Sequence, residues 1–253
     1  DMVTLTRLDC ALASAGIMRA SLAEAVHHTR GRSVFGKMLV SQPIMTRVLA
    51  DMALDVAAAT ALAFRLSDAF DRARDSAEDA AYARVMTPVT KYWCCKIAPA
   101  LIYEAMECIG GSGYIEERPI ARHYREAPVN AIWEGSGNVM ALDVLRVLSR
   151  GRDLFETVFA GIARDIGPSG RKTVEVLRAA MALCERDEGA GRLLIEQLAL
   201  AAAAAELYRL GAGRIADAFL ETRLAAGWRS TYGMLDSRFD AGHIVDLLYP
   251  PAA

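Results

Sequence analysis

One carboxylate stands out for its neighbours. Glu134 lies between Trp133 and Gly135 in the run Ile132-Trp133-Glu134-Gly135-Ser136-Gly137-Asn138, so a group that can take or give a proton stands at the head of a small-residue turn. A second glycine cluster, Gly110-Gly111-Ser112-Gly113, closes the apolar run that ends at Glu107-Cys108-Ile109. Glycine lets a backbone adopt conformations closed to other residues and approach a ligand closely. Two such turns bracketing a carboxylate have the makings of a cradle. Taken singly, each part has a plainer reading. A glutamate beside a glycine more often starts a helix, and a glycine cluster more often stops one.

The segments that must carry these turns read as helices. Leu5, Leu8, Leu12, Ala15, Met18, Leu22, Ala25 and Val26 recur at helical spacing before Gly31. After the loop Arg32-Ser33-Val34-Phe35-Gly36, Pro43 suits the first turn of a second helix running to about Arg74. A third covers roughly Ala80 to Ile109, and its Pro88 and Pro99 predict a kink or a split. The segment between the glycine turns is polar and bears arginines, and a fourth helix starts near Val139. Long helices joined by short loops predict an all-α chain, an antiparallel four-helix bundle over residues 1–150. Gly151 marks a boundary, and an additional helical C-terminal region fills 151–253 with helices near 153–166, 170–187, 190–211 and 213–248. The last is expected to break near Gly227 and Gly233.

Composition narrows the function classes. The 253 residues carry a net charge of -2, so no global field draws the chain to nucleic acid or anionic lipid. Five cysteines without a CxxC pair argue for reduced thiols in a cytoplasmic setting and against zinc or a disulfide frame. Adjacent Cys94 and Cys95 read as two buried small hydrophobes. The longest apolar run, Leu198 to Ala205, is too short to span a bilayer, and no signal peptide opens the chain. The chain starts inside a helical pattern, as a piece cut from a longer protein would.

Taken together, Thr29-Arg30-Gly31-Arg32-Ser33-Val34-Phe35-Gly36-Lys37, Glu107-Cys108-Ile109-Gly110-Gly111-Ser112-Gly113-Tyr114 and Ile132-Trp133-Glu134-Gly135-Ser136-Gly137-Asn138 resemble, in order and spacing, the C-terminal helical domain of the acyl-CoA dehydrogenase family. The likeness covers roughly residues 3–150 and is nearest to the AidB-type alkylation-response branch. It implies an FAD-dependent oxidoreductase that removes the α and β hydrogens of an acyl-CoA thioester. A base for that chemistry works best as a carboxylate in an apolar, water-poor pocket. By resemblance, Glu134 is that base, Ile132 and Trp133 are its apolar wall, and Gly135 admits the thioester. Arg32 is implied to meet the FAD diphosphate across a subunit interface, with Phe35 beside it; its fork of donors suits that group. Glu107, Cys108, Ile109, Gly110 and Gly111 are implied at the adenine end of FAD, and Ser136, Gly137 and Asn138 at the cofactor after the base. Gln42 stands one residue before the position where the family often has a cofactor-contacting glutamine. Arg7 matches a position that touches substrate in some members, and is otherwise a surface arginine. No metal site is implied. The piece alone is expected to be inactive, because the part that would hold the flavin ring is not in it.

Two rival readings come with the resemblance. AidB-type proteins resemble dehydrogenases with a DNA-binding tail, which requires a basic surface. Residues 1–150 hold 17 Lys and Arg against 17 Asp and Glu, and residues 151–253 hold 12 against 14, so tail charge does not support DNA. Arg164, Arg171, Arg178, Arg209, Arg214, Arg223 and Arg229 would have to gather on one face. The other rival is a structural one: a homo-oligomerisation core of a dimer or tetramer, since FAD sits at a subunit junction in the family.

Overall fold

The structure, a computed structural model, describes residues 2–225 and 239–250. Helix α1 (Met2–Gly31) leads through a small hairpin, β1 (Ser33–Val34) and β2 (Lys37–Met38), into α2 (Pro43–Arg72). Then come α3 (Ala77–Ile109), the single turn α4 (Gly111–Tyr114), α5 (Pro119–Asn130) and α6 (Gly137–Arg150). The C-terminal region holds α7 (Arg152–Ile166), α8 (Arg171–Cys184), α9 (Gly191–Arg209), α10 (Gly213–Leu220) with a π-turn at Glu221–Ala225, and α11 (Ala241–Leu248).

Local chemistry sets the ends. Pro43 occupies the first turn of α2, where its missing donor costs nothing. Ser76 caps α3 by accepting from the Asp79 amide, with Glu78 and Asp79 in the first turn against the positive helix end. Gly110, at φ +75°, stops α3. Of the kink or split expected at Pro88 and Pro99, the split does not occur; the helix runs 33 residues through both. The reason is packing. Helix α3 is the axle of the molecule, touching α1, α2, α5, α6, α7 and α9, and those contacts outweigh the two lost donors.

Cross-contacts give the directions. The Cys94 thiol faces the Ala59 carbonyl and Arg65 pairs with Asp79, so α2 and α3 are antiparallel. Arg84 pairs with Asp143, while Gly137 lies against Tyr92, so α6 is antiparallel to α3 as well. Cys10 and Ser14 both meet Cys95, which sets α1 alongside α3. These four helices are the expected antiparallel bundle. Helix α5 was not expected. Its arginines hide the pattern, yet Pro119 starts it and Ile120, Ala121 and Ala127 are buried.

The core is continuous from Leu8 in α1 to Val245 in α11. Ala199, Ala201, Ala202, Ala203, Ala204 and Ala205 are all buried in α9, where small side chains let α2, α3, α7 and α10 come close. Arg223 reaches back from the π-turn to Asp51 at 2.7 Å and Asp55 at 3.0 Å on α2. The expected breaks at Gly227 and Gly233 lie outside the described residues, as does Arg229. All five cysteines are free thiols, with Cys94 turned to α2 and Cys95 to α1. Among the described residues no helix is long and apolar enough to cross a membrane, and no group of side chains could hold a metal ion.

Candidate functional site

The turn between α5 and α6 is built around an uncommon backbone conformation. Glu134 has φ +56° and Gly135 has φ +104°. A glutamate held at positive φ costs free energy unless its surroundings impose the conformation. Here they do. The ammonium of Lys91, on α3, donates to the Trp133 carbonyl at 2.9 Å and to the Gly135 carbonyl. Arg7, on α1, donates from Nε to the Glu134 carbonyl at 3.0 Å. Three successive carbonyls are therefore drawn inward by two cations. Asp143 on α6 holds Arg7 in turn, accepting from its Nη1 at 3.0 Å and from Arg84 at 2.9 Å.

The Glu134 side chain is half-buried and its carboxylate makes no hydrogen bond or ion pair among the described residues. The expected apolar wall is present but open: Ile132 is 66% exposed and Trp133 is 51% exposed. With its carbonyls pinned toward Lys91 and Arg7, the turn presents the apolar faces of Ile132 and Trp133 outward. The Trp133 indole is steadied by donation to Asn130 at 3.1 Å.

Gly135, at φ +104°, is also closely packed inside the turn. A Cβ there would stand 2.7 Å from Met140 Cε and 3.0 Å from Val139 Cγ1. Gly137 is buried against Tyr92 and Arg192, and Ser136 is exposed at the start of α6. Asn138 accepts from Arg192 Nε at 2.8 Å, so α9 of the C-terminal region reaches the turn after the carboxylate.

At the far end of α3, Gly110 and Gly111 are exposed with open space above them, and Glu107 is exposed beside them. Cys108 and Ile109 point into the core, and burial pushes the Cys108 thiol up to about 12. Only the backbone of those two residues can reach a ligand. In the hairpin, Arg32 is exposed and forms no ion pair among the described residues. Phe35 is 99% exposed at φ +50°. Gln42 donates its amide to the Val34 carbonyl at 3.1 Å and braces the hairpin. Arg7 is no surface arginine; it serves the Glu134 carbonyl. The sequence reading missed Lys91, Asp143 and Arg192. A lone cation in the apolar run Val89-Thr90-Lys91-Tyr92-Trp93 was the available signal for the first; nothing local marked Arg192.

Three of the tail arginines are neutralised: Arg164 by Asp165 and Glu78, Arg209 by Glu206, and Arg223 by Asp51 and Asp55. Arg178 lies over the Phe159 ring instead.

Residues 1–149 match the family model for the acyl-CoA dehydrogenase C-terminal domain. The chain is 40% identical over 220 residues to the putative acyl-CoA dehydrogenase AidB of Escherichia coli, covering 87% of this chain and 40% of that protein. It superposes on the Caenorhabditis elegans ACDH-11 structure in complex with C11-CoA with a TM-score of 0.80 at 25% identity, over 90% of this chain and 44% of that one. An acyl-CoA dehydrogenase from Bacillus anthracis complexed with FAD shares the fold, with a TM-score of 0.62 at 17% identity over 88% of this chain and 42% of that one. The chain thus spans about two fifths of the length of the relatives it matches. On the strength of its bundle, its turns and these likenesses, the chain belongs to the acyl-CoA dehydrogenase family.

Proposed function

We propose that this chain supplies the catalytic base and part of the cofactor cradle of an FAD-dependent enzyme that oxidises acyl-CoA thioesters to their α,β-unsaturated products. The observation that carries the reading is the carboxylate of Glu134, without a hydrogen bond or ion pair among the described residues, presented from a pinned turn that also bears the apolar Ile132 and Trp133. An acidic side chain left free of ion pairs while its backbone is fixed by two cations is arranged to exchange a proton.

The residues present suit a nucleotide cofactor. Exposed Gly110 and Gly111 offer bare backbone at the end of α3, and Arg32 offers an exposed guanidinium, without an ion pair among the described residues, suited to a diphosphate. When bound, FAD supplies the acceptor for the hydride that leaves the β-carbon. Glu134 takes the α proton onto its carboxylate. Arg7 and Lys91 hold the carbonyls behind it, so the carboxylate keeps one orientation during the transfer. Ile132 and Trp133 offer apolar surface on which an acyl chain would lie, excluding water from the carboxylate as it binds.

Phe35 supports a homo-oligomer. A phenylalanine that is 99% exposed on a strained hairpin is poorly suited to water, and a second copy or the cofactor held by it would cover the ring. The test uses the intact protein: flavin absorbance, bleached anaerobically by a panel of acyl-CoA thioesters, in wild type and Glu134→Gln. Bleaching by at least one thioester, lost in the variant, is the expected result. Unaltered bleaching in Glu134→Gln removes that residue from its role.

A further inference from the structure

Lys91 is 1% exposed, in the middle of α3, the helix that packs against α1, α2, α5, α6, α7 and α9. A lysine is almost never fully buried without a task that repays its desolvation. Among the described residues its ammonium meets no carboxylate at hydrogen-bond distance; it faces two backbone carbonyls, those of Trp133 and Gly135. Between them lies the one residue of the turn whose side chain is ionisable and whose φ, at +56°, is disfavoured. Burial lowers the pKa of Lys91 and the Arg7 charge adds to this, while Glu134 opposes it.

We propose that Lys91 is a positioning residue for Glu134, clamping the carbonyls on either side of it so that the strained turn holds the carboxylate in one direction. This rests on the reading of Glu134 as the base. Arg7 takes the middle carbonyl at 3.0 Å, but Asp143 already shares its guanidinium, so Arg7 alone fixes one point of the turn. Two further points define its plane. Without Lys91 the turn can relax toward negative φ, swinging the carboxylate away, and a displacement of about 1 Å at a reacting group costs on the order of 100-fold in rate.

The experiment compares Lys91→Met, Lys91→Arg, Glu134→Gln and the double variant Lys91→Met/Glu134→Gln in the intact flavoprotein. The first readout needs no turnover: amide hydrogen exchange over residues 131–137. Two lost hydrogen bonds should speed exchange there roughly tenfold in Lys91→Met, while helix α9 keeps its protection. The second is the rate of flavin bleaching by acyl-CoA. We expect a loss of about 100-fold in kcat with little change in KM, a smaller loss in Lys91→Arg, and no further loss when Lys91→Met is added to Glu134→Gln. Unchanged exchange over 131–137 overturns the clamp whatever the kinetics. Faster exchange with a full additional rate loss in the double variant overturns action through Glu134. Unaltered bleaching in Glu134→Gln overturns the base itself, and the exchange data then still report on the clamp separately. Should Lys91→Met fail to fold, Lys91→Arg keeps the same readouts.

Discussion

The side chain of Arg192 donates to Asn138 at 2.8 Å and ties helix α9 to the turn that follows Glu134. The contact crosses from the C-terminal region to the bundle at the point where the cofactor is proposed to lie. It fixes which way the Asn138 amide faces, leaving its nitrogen turned away from Arg192.

Removing that contact should weaken flavin binding without unfolding the protein. Arg192 and Asn138 are both exposed, so Arg192→Ala should leave the melting temperature nearly unchanged. One lost hydrogen bond is worth about 1 kcal/mol, so the flavin dissociation constant should rise roughly fivefold. Flavin fluorescence titration of the apoprotein measures it. An unchanged constant would show that α9 does not take part in cofactor binding.

The hairpin should trade stability for association. Phe35 and Gly36 have φ values of +50° and +75°, the signs of a type I′ turn, whose first position favours asparagine over phenylalanine. Phe35→Asn should therefore stabilise the isolated chain by about 0.5–1 kcal/mol in denaturant unfolding. The same change should weaken self-association and flavin binding, read by light scattering and flavin absorbance. Gains in both stability and association would contradict the proposed role of the ring.

The bundle was legible because its helices are long and their apolar spacing regular, as Leu8 to Val26 in α1 shows. Helix α5 escaped because Arg122, Arg125 and Glu126 crowd a twelve-residue segment that buries only four side chains. The glycines and Glu134 were found from residue type alone, but their physical roles were not. For Gly135 residue type suggested room for a ligand, and the close approach of Met140 and Val139 was not readable from it. What Lys91 and Arg7 do to the turn depends on α3 and α1 meeting it across more than forty residues of chain, a relationship no local pattern encodes.

Arg223 should prove a stability determinant. Its side chain is 4% exposed and bonds Asp55 from Nε at 3.0 Å and the Asp51 carbonyl at 2.8 Å, besides the ion pairs. Taking the cation away leaves both aspartates buried with one positive charge fewer. Arg223→Ala should cost about 3–5 kcal/mol in denaturant unfolding. Asp51→Asn together with Asp55→Asn should recover part of the loss, because the negative charge that Arg223 offset is gone. A cost near zero for the single variant would mean that the C-terminal region is held by its apolar contacts alone.

Acid should destabilise the fold through its histidines. Burial holds the His123 pKa below its ordinary value of 6.5, the Arg122 charge adds to this, and Glu24 opposes it. His28 is lowered by burial too, helped by Arg118 and Arg32. Between each lowered folded value and 6.5, the unfolded chain binds a proton that the folded chain refuses, so stability rises with pH across that window and levels off above it. His123 Nδ1 lies 3.1 Å from the Ser21 hydroxyl, so glutamine, which can keep that bond, is the replacement of choice. His123→Gln should flatten the fall in stability as the pH drops below about 6.5 relative to wild type, and adding His28→Gln should flatten it further. Urea midpoints measured across that range decide it. Parallel curves for wild type and both variants would place the acid sensitivity in other groups.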